Sequence, residues 1–62
     1  MEYVIYNAKE SLFWSNNLGW CLFDDATRYN VEERNTFTFL PGTGSTWLNV
    51  NEVTEEMKNQ EN

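Results

Sequence analysis

Apolar positions first gather in Tyr3-Val4-Ile5-Tyr6, a run of β-branched and aromatic residues that ends at Asn7-Ala8-Lys9-Glu10-Ser11. Such a run suits a pleated, half-buried surface and predicts a strand followed by a turn. Leu12-Phe13-Trp14-Ser15 and Gly19-Trp20-Cys21-Leu22-Phe23 are two further apolar runs, joined by Ser15-Asn16-Asn17-Leu18-Gly19. The Asn and Gly of that joint supply the positive φ values a tight loop needs, so the pair predicts a hairpin. Side chains alternate faces along a strand, so Phe13 and Trp14 point opposite ways, as do Trp20 and Cys21. Neither face of the hairpin is then wholly polar, and one face is expected to pack on something helical.

Helical signals follow. At Asp24-Asp25-Ala26-Thr27 an aspartate can cap a single turn. At Asn30-Val31-Glu32-Glu33 the signal is stronger: Asn30 can accept from the amide three residues on, Glu33 can reach back, and the acids sit at the positive end of the helix dipole. Thr36-Phe37-Thr38-Phe39 restores period-two alternation, which ends the helix near Asn35 and predicts an extended segment to Leu40. Pro41-Gly42-Thr43-Gly44-Ser45 reads as a loop and Thr46-Trp47-Leu48-Asn49-Val50 as a final strand. Beyond Asn51, Val53 and Met57 lie four apart and Glu55 precedes Lys58 by three, but a peptide this short is marginal as an isolated helix. The expected organisation is one compact domain over residues 1–50, with a frayed, acidic and flexible tail over 51–62 that folding does not need. The competing reading of the tail is a helix formed on docking. The fold class predicted is α+β: a small antiparallel sheet of three or four strands, with one or two short helical turns between Asp24 and Asn35 packed on one face.

A chain of 62 residues is near the lower limit for burying one core without disulfides or metals. Its ten aromatic residues compensate, since each ring buries on the order of 150–250 Å². Cys21 is the sole cysteine and histidine is absent, which excludes an intramolecular disulfide and the usual zinc ligand sets. Ten acidic against four basic residues give a net charge of −6, half of it in residues 51–62. That balance disfavours phosphate backbones and anionic membranes, and favours a partner with a basic surface. With no basic, apolar leader pattern in Met1 to Tyr6 and no long apolar run, the expected location is the cytoplasm.

The catalytic inventory is poor. Without histidine, carboxylates, Lys9, Lys58, tyrosines and Cys21 are the conceivable actors. Asp24-Asp25 and Glu32-Glu33 are adjacent pairs whose members project differently, so they read as caps and solvated surface, not as a pair held across a substrate. Gly42-Thr43-Gly44-Ser45 lacks the Gly-Lys-Ser/Thr of a phosphate loop and precedes a strand, so it reads as a turn. Cys21 reads as a small buried hydrophobe. The sequence therefore assigns no catalytic, cofactor-binding or metal-binding residue. The aromatics can carry binding: a sheet this small that covers only one face leaves Tyr6, Trp14 or Trp20 as an anchor patch.

Tyr3-Val4-Ile5, Asn7, Phe13-Trp14-Ser15-Asn16, Gly19-Trp20, Asp25-Ala26-Thr27-Arg28-Tyr29 and Glu32-Glu33 occur in an order that resembles a loose class of short phage and prophage proteins, over residues 3–50. The resemblance implies a small antiparallel sheet with a short helix, a viral or mobile-element origin, and an accessory role toward a host protein. It transfers no functional residue. The function expected is a small non-enzymatic protein-binding accessory protein acting on a host protein in the host cytoplasm. The alternative is an acidic DNA-mimic inhibitor of a nucleic-acid-binding host or defence enzyme. Neither nucleic acid nor membrane is an expected partner, and self-association stays open.

Overall fold

The computed structural model describes residues 2–58. Strands β1 (Tyr3–Asn7), β2 (Leu12–Ser15), β3 (Gly19–Cys21) and β4 (Ser45–Asn49) form one antiparallel sheet in the order β3-β2-β1-β4. The turn between β1 and β2 closes through Asn7: its carbonyl accepts from the Ser11 amide at 2.7 Å and its Oδ1 from the Glu10 amide at 3.0 Å. In the next hairpin the buried Ser15 hydroxyl accepts from the amides of Asn17 and Leu18, both at 3.1 Å, and Gly19 takes the positive φ of +80° that closes the loop. Phe13 faces Cys21 and Trp14 faces Trp20 across this hairpin.

Only Tyr6–Phe13 and Asn7–Leu12 pair β1 with β2. Beyond them the two strands part, and Thr27-Arg28-Tyr29 threads the gap. Tyr29 exchanges both backbone hydrogen bonds with Tyr3, at 2.7 and 2.8 Å, while the Thr27 amide donates to the Trp14 carbonyl at 3.0 Å. The strand groups that separation would leave bare are thus paired, as buried backbone requires.

The register assigns each side chain to a face. Val4, Tyr6, Phe13, Cys21, Thr46 and Leu48 share one; Tyr3, Ile5, Asn7, Leu12, Trp14, Trp20 and Trp47 share the other. On the Val4 face the 3₁₀ turn Phe23–Asp25 brings in Phe23, which meets the Phe13 ring edge-on at 5.3 Å. The expected aspartate cap is absent there: Leu22 precedes the turn, with no side-chain bond to it. Val4, Phe13, Phe23 and Val53 form the buried cluster, with Tyr6, Ala26, Leu48, Val50 and Met57 packed against it.

Val53 follows a second 3₁₀ turn, Val50–Glu52, and precedes the short helix α2, Glu55–Lys58. The N-cap Asn49 and Glu52 make a reciprocal capping box around that turn. Lys58 then places its ammonium 5.1 Å from the Phe23 ring, whose other cationic neighbour is the Arg28 guanidinium at 5.0 Å. The expected boundary at residue 50 falls inside the Val50–Glu52 turn, and Val53 beyond it is buried in the core cluster; only residues 59–62 of the expected tail lie outside the described residues.

The Ile5 face is covered by the segment between Tyr29 and β4. Helix α1 (Val31–Thr36) starts with the expected capping box, Glu33 N–H to Asn30 Oδ1 at 2.7 Å and Asn30 N–H to Glu33 Oε1 at 2.9 Å. Its Arg34 guanidinium lies 4.9 Å from the Tyr3 ring. Tyr29, Phe37 and Trp47 then meet mutually edge-to-face, with ring centroids 5.1 to 5.4 Å apart. The extended segment expected from Thr36 to Leu40 is not a strand. Thr36 belongs to α1, and residues 37–44 run as an irregular loop, because Phe37 turns inward onto Trp47 where a ladder partner is missing.

Candidate partner-binding surface

The three aromatics expected to form an anchor patch do not converge. Tyr6 lies on the Val4 face, half-buried, with its ring 4.9 Å from Phe13 and packed against the core cluster. Trp14 and Trp20 lie together on the opposite face as an edge-to-face pair at 5.1 Å, each half-buried. Asn16 holds this corner in place. Its Oδ1 accepts from the Trp14 indole at 3.2 Å and from the Tyr29 hydroxyl at 2.8 Å, and its amide donates to the Thr27 hydroxyl at 2.8 Å. The sheet stands between Tyr6 and the tryptophans, so one flat partner cannot reach all three.

Loop 37–44 covers Trp20. Gly42 adopts φ +75°, and a Cβ there would stand 2.9 Å from Trp20 Cζ2 and 3.2 Å from Asn7 Nδ2, so glycine is required both for the backbone conformation and for the close approach. Asn7, only 2 % exposed, anchors the loop from below: Nδ2 donates to the Thr43 carbonyl at 2.9 Å and to the Ser45 hydroxyl at 3.1 Å. The Ser45 hydroxyl in turn donates to the Pro41 carbonyl. The loop is thus fastened at Phe37 and again at 41–45, and between these fastenings Phe39 points outward, 84 % exposed.

Phe39 is the most exposed large apolar side chain among the described residues, followed by Leu18 in the β2–β3 loop at 65 %. Sequence reasoning missed it by placing it in an extended segment with period-two alternation, where Phe37 and Phe39 share a face. The one available signal was its position two residues before Pro41-Gly42, where a ladder is already ending.

The acidic groups gather elsewhere. Asp24 and Asp25, together with Glu52, Glu55 and Glu56, lie exposed on the turns and helix that cover the Val4 face. Their positive neighbours are Lys58, 3.8 Å from Glu55, and Arg28, which reaches Glu2 at 3.9 Å. The Cys21 thiol is pushed above its ordinary pKa, first by burial and then by the nearby Asp25 carboxylate, which makes it a weak nucleophile at neutral pH. Among the described residues no cavity is found and no group of acidic, cysteine or histidine side chains has the arrangement to hold a metal ion. No helix among them is long and apolar enough to cross a membrane. No family model, no curated protein and no solved structure matches this chain.

Proposed function

We propose that this chain is a small non-enzymatic protein-binding protein that docks through loop 37–44, with Phe39 as its anchor. The observation carrying this reading is the 84 % exposure of Phe39 on a loop fastened at both ends. A chain that recruits nearly every other ring to two thin cores loses stabilisation by leaving this one in water, and a ring presented on a pre-ordered loop docks with little further loss of conformational freedom. The partner offers an apolar pocket, and a basic surround is favoured by the net charge of −6. The phage-like sequence pattern supports a host protein in that role.

The test begins with capture of the partner from host lysate, followed by titration of wild type and Phe39→Ala against the purified partner. Removing an anchor ring costs about 2 kcal/mol or more, roughly a 30-fold loss of affinity. Equal affinity for both would end the reading. Grouping of Asp24, Asp25, Glu52, Glu55 and Glu56 over the Val4 face favours a second reading, a carboxylate surface that imitates nucleic-acid phosphates. Under that reading Glu55→Gln/Glu56→Gln abolishes binding, Phe39→Ala does not, and affinity falls steeply with salt.

A further inference from the structure

Strand β4 is an outer strand of the sheet, and its free side follows from the hydrogen bonds on its other side. The Val50 amide donates to the Glu2 carbonyl at 3.0 Å, and Tyr3 spends its own backbone groups on Tyr29, away from β4. Glu2, Val4 and Tyr6 therefore turn their backbone groups toward β4, where Val50, Leu48 and Thr46 meet them. Ser45, Trp47 and Asn49 consequently turn theirs outward. Of these, the Asn49 amide is taken by Glu52 Oε1 at 3.0 Å. The Ser45 and Trp47 amides and the outward carbonyls have no ladder partner, because β4 borders no further strand.

Open edges are ordinarily blunted by lysine, proline, a bulge or shortness. Strand β3, at the other edge, has only three residues. Strand β4 has five, Ser45-Thr46-Trp47-Leu48-Asn49, with no charge and no proline.

We propose that β4 pairs antiparallel with β4 of a second copy of this chain, about a two-fold axis at Trp47. Three features select a second copy over an unrelated strand. The outward groups are disposed symmetrically about the central Trp47, so the two Trp47 residues exchange amide–carbonyl bonds and each Ser45 amide meets the Asn49 carbonyl of the other copy. Every cross-strand pair in that register is uncharged, which avoids the like-charge contacts that a net charge of −6 imposes elsewhere. The ends also match in charge. The stem of Lys9 crosses Gly44, with Cγ 3.4 Å from the position of a Gly44 Cβ, and Lys9 makes no ion pair with any described residue. Glu52 sits at the opposite end of β4, bonded to the Asn49 amide. Antiparallel pairing sets the Lys9 end of each copy against the Glu52 end of the other, twice by symmetry.

Sedimentation equilibrium of the full chain tests this, with a second chain made by chemical synthesis carrying an N-methyl group on the Trp47 amide. That methyl removes an outward donor and leaves every internal ladder bond intact. The expected results are a concentration-dependent dimer for the natural chain and at least about a 10-fold weaker association for the N-methyl chain, with unchanged circular dichroism. Lys9→Glu weakens the dimer in the same direction. A natural chain that stays monomeric to about 1 mM overturns the proposal. So does a dimer indifferent to the N-methyl group, which places the contact elsewhere. The same sheet edge accepting a foreign extended peptide while the chain remains monomeric also overturns it.

Discussion

Replacing Asn7 by alanine disconnects loop 37–44 from the sheet, and its cost can be built from the bonds it removes. Asn7 donates to the Thr43 carbonyl and the Ser45 hydroxyl, and accepts from the Glu10 amide. Thr43 and Glu10 are exposed, so water re-satisfies their groups, and each lost bond costs near the net value of about 1 kcal/mol, not the larger penalty of an orphaned buried group. The expected loss is about 2–3 kcal/mol. That is a large share of the total for a domain of this length, for which about 3–9 kcal/mol is typical. It corresponds to a fall in Tm of roughly 10–20 °C.

Urea titration followed by tryptophan fluorescence measures this loss. Acrylamide quenching reports separately whether Trp20, now beneath Gly42, becomes accessible. Asn7→Asp sharpens the test: it keeps the acceptor for Glu10 but sets a carboxylate against the Thr43 carbonyl, so it destabilises more at pH 7 than near pH 3, where the protonated acid donates again. An Asn7→Ala chain within about 0.5 kcal/mol of wild type, below the range for a single lost bond, would refute the reasoning that this side chain holds the loop.

Val53→Ala removes two methyl groups from the buried cluster under Phe23 and lowers stability by about 1–2 kcal/mol, read as a shift in the urea midpoint. A chain ending at Val50 loses more, and an unchanged thermal transition for that chain would restore the domain boundary expected from sequence. On the alkaline side stability falls with pH. Burial and then Asp25 raise the Cys21 pKa in the folded chain, so its contribution is complete below the ordinary thiol range near about 8.5 and is lost as pH climbs through the folded value. Tyr29, raised chiefly by burial, adds a later loss of the same sign. Urea midpoints between pH 7 and 11 check this, and Cys21→Ala removes the earlier part of the decline.

Local chemistry carried most of the readable fold. The strand at Tyr3, the hairpin around Asn16-Asn17, the capping box at Asn30 and the strand at Trp47 each depend on residues within a few positions of one another, and each stands within two residues of where the pattern puts it at its start. Thr36-Phe37-Thr38-Phe39 misled because period-two spacing states only that two side chains can share a face; it does not supply a neighbouring strand. Here Tyr29 and Trp47, brought together by the sheet, draw Phe37 inward and leave Phe39 outside. Val53 was misread for a related reason. With Met57 it is one of two apolar residues in an acidic stretch, too few to mark a packed element until the Val4 face is known to need a cover at that point.

The candidate surface was less legible than the fold because exposure is decided by what is left over after both faces are covered. Alternation along β2 and β3 shows that Trp14 and Trp20 share a side, but placing Tyr6 on the opposite side requires the Tyr6–Phe13 pairing, a relation between strands. Once register is known, the demand for cover is clear: each face of a four-stranded sheet is apolar, and the chain outside the strands must satisfy both. Phe23, Val53 and Met57 are spent on the Val4 face, Tyr29, Phe37 and Gly42 on the Ile5 face. Phe39 is not called on by either face, which is the physical reason its ring stands in solvent.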